Sequence, residues 1–219
     1  MKLVWSPESA LKSYLDTVKS CEKFKDSGVA EFLSAMAAGW DAKFIVETWS
    51  YGGPIAASVG LAVAARNTGA RHVCIVSDER SRLHYTKALA DTGLSPPPEV
   101  VTGEPEAAVA RLVGLDFLVV DCKHRNFARV LRVTKVSTRG AVLACKNACQ
   151  RNFSGFRWNW VLERGTRVVR SVFLPVGKGL DMAYIGSRSS GAAIATKGPS
   201  RRWIKHIDHQ SGEEHLFRE

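Results

Sequence analysis

Phe117-Leu118-Val119-Val120-Asp121 is the stretch on which the fold turns. Four successive apolar residues leave no face for water, so a strand here must be covered on both sides, and it ends on a carboxylate. Working outward, Phe44-Ile45-Val46-Glu47-Thr48, Val73-Cys74-Ile75-Val76, Val100-Val101 and Ala141-Val142-Leu143-Ala144 repeat the pattern. Helical stretches lie between them. An Ala-rich segment over 55–65 is ended by Gly69. A second helix opens at Ser77-Asp78-Glu79-Arg80-Ser81, carries Leu83, Leu89 and Ala90, and is stopped by Gly93 and Pro96-Pro97-Pro98. A third starts at Glu104-Pro105-Glu106 and runs through Leu112. A fourth, over 126–136, buries Phe127, Val130, Leu131 and Thr134 and turns Arg125, Arg129 and Arg132 to solvent. Apolar strands alternating with helices predict parallel βαβ units, and right-handed crossovers wind them into one α/β sheet. After the fifth strand, 166–174 and 180–185 are separated only by Pro175-Val176-Gly177-Lys178-Gly179, which permits an antiparallel hairpin and no crossover.

Two helices precede the sheet. Ser6-Pro7-Glu8 reads as an N-cap, a first helical residue and a first-turn acid. Leu11, Tyr14, Leu15 and Val18 then predict a half-buried helix, and Val29, Phe32, Leu33 and Met36 a second one between Gly28 and Gly39. The expected organisation is an N-terminal helical extension over 1–40, a main domain over 41–198 and a polar tail over 199–219. The extension is expected to serve as a cap or as the surface of a homodimer.

The 219 residues, 45% hydrophobic and 24% charged, suffice for a core without disulfides. No run approaches the roughly 18 apolar residues of a membrane span, and the first residues lack the apolar core of a signal peptide. Five cysteines without CxxC spacing argue against a disulfide framework; reduced thiols in a cytoplasmic or nuclear protein are expected. The charge is uneven. Residues 1–110 hold 11 Lys and Arg against 13 Asp and Glu, and residues 111–219 hold 20 against 8. A basic half suggests an anionic partner such as a nucleotide, a coenzyme A ester, RNA or an acidic protein; a solvated surface is the other reading. No block of like charge marks a nucleic-acid arm.

Ligands of open α/β sheets bind beyond the carboxyl ends of the strands, which directs attention to 47–53, 77–79, Gly103-Glu104, 121–124 and 145–147. His124 beside Asp121 is a candidate general base, since histidine titrates near neutral pH; a histidine merely opening a helix is the alternative. Trp158 and Trp160, alternating with Arg157 and Asn159 after 152–156, read either as a buried strand or as an aromatic lid.

These residues together resemble class I S-adenosylmethionine-dependent methyltransferases, a Rossmann-like, doubly wound, mostly parallel seven-stranded fold closed by a C-terminal hairpin. The likeness is nearer to the cation-dependent O-methyltransferases of catechols and caffeoyl-CoA. It rests on Leu115-Asp116-Phe117-Leu118-Val119-Val120-Asp121, Asn126-Phe127, Asn147 and Leu174-Pro175-Val176-Gly177-Lys178-Gly179-Leu180, and spans 44–185. With Met1-Lys2-Leu3-Val4-Trp5-Ser6-Pro7-Glu8 and Ile45-Val46-Glu47-Thr48-Trp49-Ser50, the whole chain is similar to a plant family of methyltransferase-like domains.

The resemblance implies S-adenosylmethionine as cofactor and a small or anionic acceptor. A non-catalytic module for RNA or another polyanion, or a partner-binding protein, is the alternative. It implies that Glu47 and Gly53 belong to the turn approaching the methionine part of the cofactor. Trp49 stands where that turn has its first glycine; its indole either fills the cofactor's space or points into the sheet. Asp78 is the candidate for the ribose carboxylate, and Gly103 and Glu104 fall beside the adenine. Asp121 and Asn147 match residues that hold a divalent cation in the cation-dependent enzymes, but Lys146 replaces their second Asp, and Lys123 stands where another acid is common. Two oxygen donors beside two ammonium groups make a poor site for a hard cation, so a metal-free centre is expected. Asp121, Lys146, His124 and Asn147 are then the candidate catalytic set, with Lys146 pairing Asp121 in the cation's place or simply facing solvent.

Overall fold

The computed structural model describes residues 4–24, 28–150, 156–187, 203–207 and 214–218. Two helices come first, α1 (Pro7–Cys21) and α2 (Val29–Gly39). Then follow β1 (Phe44–Thr48), α3 (Ala56–Thr68), β2 (Arg71–Val76), α4 (Glu79–Ala90), β3 (Glu99–Thr102), α5 (Pro105–Ala110), β4 (Val113–Leu115), β5 (Phe117–Asp121), α6 (Phe127–Val133), β6 (Lys135–Val136) and β7 (Ala141–Lys146). A 3₁₀ turn (Ala148–Gln150) leads on towards α7 (Trp158–Val161), β8 (Val168–Leu174) and β9 (Leu180–Ile185).

Seven strands form one sheet in the order β3-β2-β1-β5-β7-β9-β8. The first five are parallel; β9 runs antiparallel to β7 on one side and to β8 on the other, so it alone opposes the direction of the rest. This is the α/β architecture expected from the apolar runs and the short hairpin loop. The order reverses between β1 and β5, where the chain returns from β3 to build the other half. Adjacent crossovers leave there on opposite faces and open a crevice at the strands' carboxyl ends. Each strand alternates between two cores. Val46, Leu118, Val120 and Leu143 face α5, α6 and α7, while Ile45, Phe117, Val119 and Ala144 face α2 and α3.

Several local expectations are corrected. β4 and β6 make a separate two-stranded parallel sheet, too short to leave a periodic signal. The segment with Trp158 and Trp160 is one helical turn and not a strand: Trp158 is buried with its indole N–H donating to Asp181, and Trp160 is exposed. Residues 152–155 of the expected lid lie outside the described residues. The tail contains a two-stranded antiparallel hairpin of β10 (Trp203–Ile207) and β11 (Glu214–Arg218), within a unit of its own over 189–219. No helix among the described residues is long and apolar enough to cross a membrane.

The largest reversal is α1. Its apolar residues Leu11, Tyr14, Leu15 and Val18 are exposed, Leu11 at 60%, and its buried side is Ala10, Ser13, Thr17 and Cys21. Small size wins over hydrophobicity because α1, α2 and α3 pack closely. Ser13 and Ser34 hydroxyls sit 2.9 Å apart, and the Thr17 hydroxyl donates to the Ser13 carbonyl at 2.8 Å, so the buried polar atoms have partners. At Gly60 of α3, an added Cβ would stand 2.4 Å from the Ala30 carbonyl oxygen of α2.

That contact gives a prediction against helix propensity. Gly→Ala in a helix interior ordinarily stabilises by up to about 1 kcal/mol. Gly60→Ala is expected to destabilise by roughly 1–3 kcal/mol through backbone overpacking, whereas Leu15→Gln on the exposed face changes stability by less than about 0.5 kcal/mol. Urea denaturation of both variants checks this.

Candidate functional site

The crevice at the β1–β5 switch holds two cavities. The first, about 430 Å³, is lined by Thr48, Trp49, Ser50 and Tyr51 after β1, Ser77 after β2, Glu104 and Pro105 after β3, and Asp121, His124, Arg125 and Asn126 after β5. The second, about 580 Å³, is lined by Lys123, Lys146, Asn147 and Lys178, by Gly52 and Pro54, and by Ala56 and Ala57 at the start of α3.

One polar bridge joins their walls. Asp121 and Lys146 are cross-strand neighbours at the ends of β5 and β7. Asp121 Oδ1 accepts from Asn147 Nδ2 at 2.8 Å and from the Lys123 backbone N–H at 3.0 Å. Lys146 Nζ lies 3.9 Å from Asp121 Oδ2, a charge contact longer than a hydrogen bond. Lys146 is only 7% exposed, so the solvent-facing reading of this lysine falls and the pairing with Asp121 stands. Asn147 has φ +58, a left-handed conformation that asparagine tolerates better than most residues. The hairpin loop closes the second cavity: the Ala148 and Cys149 N–H groups donate to the Gly179 and Lys178 carbonyls at 2.9 and 3.0 Å. An added Cβ at Gly179 would lie 2.6 Å from Cys149 Sγ.

The bridge also bears on whether a cation fits. A hard divalent cation needs several free oxygen donors. Here one carboxylate oxygen is occupied by two N–H groups, and an ammonium sits nearest the other. The donor set does not fit such an ion.

The other expected site residues divide. Glu47 does not line the crevice; it is fully buried on the α3–α4 face of the sheet. It accepts from Ser58 Oγ at 2.8 Å and Tyr85 Oη at 2.9 Å, and His72 Nε2 lies 3.2 Å from Oε1 without its N–H aimed at that oxygen. Burial pushes its carboxyl up, but the nearby His72, the Lys146 charge and the Ser58 hydroxyl outweigh burial and hold it below the ordinary glutamate value. Burial, reinforced by the charge of Glu47, drives the Tyr85 hydroxyl well above its usual range, so it remains a donor.

Trp49 settles between its two readings. It is 3% exposed, edge-on to Tyr85 at 5.3 Å and stacked on His84 at 5.7 Å, with its indole N–H donating to the Pro54 carbonyl at 3.4 Å. The indole walls the first cavity and does not fill it. Gly53 belongs to the same turn, where an added Cβ would meet the Ser50 carbonyl at 3.0 Å and the indole nitrogen at 3.4 Å. Asp78 is not at the cavity wall: it caps α4, accepting from the Ser81 N–H at 2.7 Å and the Ser77 hydroxyl at 2.8 Å. Those bonds, the Ser81 backbone first, hold its carboxyl below the usual range. Ser77 lines the cavity in its stead. Gly103, at φ +148, shapes the loop but is not among the lining residues, whereas Glu104 is. His124 faces the first cavity, 2.6 Å from Ser50 Oγ, and is absent from the wall of the second.

Ser50 and Tyr51 fall in the stretch 47–53 singled out from the sequence but carry no assigned role there, and Arg80 is singled out only as part of a helix start. The Arg80 guanidinium lies 4.2 Å over the Tyr51 ring and donates to its hydroxyl at 3.1 Å. The pairing joins a turn after β1 to the first turn of α4, and such a contact between distant segments leaves no periodicity in the sequence. Lys178 was visible only as a member of the hairpin loop.

The family model described as "Protein of unknown function (DUF1442)" matches residues 1–219. The chain belongs to the DUF1442 family. No curated protein matches it. Among solved structures, it is similar to a methyltransferase from Geobacter sulfurreducens at 25% identity and TM-score 0.59, covering 81% of this chain and 89% of that one. Fold likeness extends to the SAH-bound methyltransferase PaMTH1 of Podospora anserina (14% identity, TM-score 0.55, 84% and 90% covered). It extends also to an O-methyltransferase of Bacillus cereus in complex with SAH (17%, 0.52, 84% and 93%). The DUF1442 chain therefore has the class I methyltransferase fold, with its own residues at the strand 1 turn and at the β5–β7 bridge.

Two predictions separate structural from ligand-facing roles. Glu47 titrates below its ordinary 4.5 when folded, so its stabilisation is present above that value and is lost as pH falls through the folded pKa. Glu47→Gln is expected to cost about 3 kcal/mol at neutral pH by breaking a buried charged network and to remove that acid-dependent loss, as read by urea melts across the acid range. At the bridge, Asn147→Ala is expected to be less stable than Asn147→Gly by about 1 kcal/mol, because both lose the bond to Asp121 but only glycine accepts the left-handed backbone freely.

Proposed function

We propose that this DUF1442 protein binds S-adenosylmethionine in the first cavity and transfers its methyl group, without a divalent cation, to a small or anionic acceptor in the second. The observation carrying this reading is the pair of cavities meeting at the Asp121–Asn147–Lys146 bridge, at the switch point of a methyltransferase-type sheet. A volume near 430 Å³ lies within the usual range for small-molecule sites. Structures of the same fold bound to SAH support the choice of ligand.

Bound S-adenosylmethionine supplies an electrophilic methyl on a sulfonium. The protein's part is to hold both reactants in line and keep them dry. Ser77 and Glu104 would hold the adenosyl end, with Glu104 replacing the missing acid after β2. Asp121 and the turn carrying Ser50 would hold the charged methionine end. The Ser50–His124 bond fixes that turn against the loop after β5. Lys146, 3.9 Å from Asp121, lends the second cavity a fixed positive charge.

Calorimetry with S-adenosylhomocysteine tests this. Measurable binding is expected, unchanged by EDTA and weakened by about tenfold or more in Asp121→Ala. Silence with both S-adenosylmethionine and S-adenosylhomocysteine overturns the reading, and dependence on added Mg²⁺ overturns its metal independence.

A further inference from the structure

The second cavity has a lopsided chemistry. Lys123, Lys146 and Lys178 line it, and no carboxylate, histidine, tyrosine or cysteine does among the described residues. Lys146 has Asp121 at 3.9 Å, yet its ammonium makes no hydrogen bond to any described residue although the side chain is more than nine-tenths buried. Lys123 and Lys178 form no ion pair among the described residues. Ala56 and Ala57, on the same wall, begin a thirteen-residue helix whose N-terminus has no side-chain cap. Its free N–H groups and dipole favour an anion. Three ammonium groups, one buried and held only by Asp121 at 3.9 Å and two exposed, stand on a wall with no carboxylate among the described residues, and that excess of positive charge favours a negatively charged occupant.

The same wall says what the occupant does. A neutral hydroxyl acceptor must lose a proton as it is methylated, and this cavity offers neither a metal-binding donor set nor a conventional base. The one histidine nearby faces the other cavity and is engaged by Ser50. An acceptor that arrives ionised needs no base. Resting on the proposed transferase reading, we infer that the second cavity takes a small carboxylic acid, that the lysines hold its carboxylate, and that this carboxylate is the methyl acceptor. A carboxylate oxygen forms the new O–CH₃ bond as the methyl–sulfur bond breaks. The sulfur keeps that electron pair and loses its positive charge, so the products are a methyl ester and neutral-sulfur S-adenosylhomocysteine, and no proton moves. Val29, Ala30 and Pro54 provide the apolar wall for the rest of the acid.

Binding and transfer are read separately on the full chain. Benzoate and phenylacetate are titrated by calorimetry, with benzamide, benzyl alcohol and inorganic phosphate as matched probes. The acids are expected to bind and the neutral analogues not. Affinity should fall about tenfold or more in Lys146→Met and about threefold or more in Lys178→Met, as expected for lost charge-assisted hydrogen bonds. The exposed loop position of Lys178 keeps this second variant informative if the buried one fails to fold. Acids that do not bind, affinity unchanged in Lys178→Met, or binding of phosphate alone overturns the inference even where S-adenosylhomocysteine binds. Methyl transfer from radiolabelled S-adenosylmethionine to these acids should give a product that releases volatile methanol in alkali. An alkali-stable product overturns the inference and leaves the transferase reading standing; acid binding without any affinity for S-adenosylhomocysteine overturns the transfer step and that reading together, leaving only the anion site.

Discussion

The carboxylate of Asp121 holds the functional end of the molecule together. It closes a strand whose other four residues are buried and ties it, through Asn147 and Lys146, to the end of the next strand. Everything around it is arranged by that tie. The left-handed backbone at Asn147 turns the chain out of β7, the 3₁₀ turn follows, and the hairpin loop docks on that turn through the Gly179 and Lys178 carbonyls. Two cavities, with opposite chemistry, thus share a partition made of a single carboxylate and its three nitrogen partners.

In the proposed reading, a fixed ammonium stands where a divalent cation would, and that changes what the site can do. A cation coordinates several oxygens at once and lowers the pKa of whatever binds it. An ammonium carries half that charge, donates three hydrogen bonds and imposes no coordination geometry. Such a centre suits a ligand that is already an anion and suits poorly one that must be made into an anion. The uncapped start of α3 works in the same direction.

The five parallel strands and the closing hairpin were legible because burial on both faces demands unbroken apolar runs, as at Phe117–Val120; their order in the sheet was not. Asp121, Asn147 and Lys146 were legible because a strand's end fixes where its next residue sits. Other features depended on tertiary contacts that leave no mark in one sequence. The outward face of α1 follows from close backbone approach at Gly60 and Ala30, a constraint stronger than the apolar spacing of Leu11, Tyr14, Leu15 and Val18. Asp78 read as a ligand because it stands near the right position; as an N-cap it follows an equally common rule, and only geometry chooses between them.

Glu47 and Trp49 show how one departure entails the next. The turn after β1 carries an indole whose ring lies against Tyr85 and His84. Tyr85 is then fixed from two sides, by the ring and by its bond to Glu47, and Glu47 is in turn held by Ser58 and the approach of His72. A buried carboxylate of this kind is tolerated only while its neighbours stay in place, because its desolvation is offset by those contacts and by the charge of Lys146. The turn that walls the first cavity is therefore braced from beneath by a polar core. The position that the resemblance assigns to ligand contact acts through the rigidity of the cavity wall, with its own oxygens facing away from it.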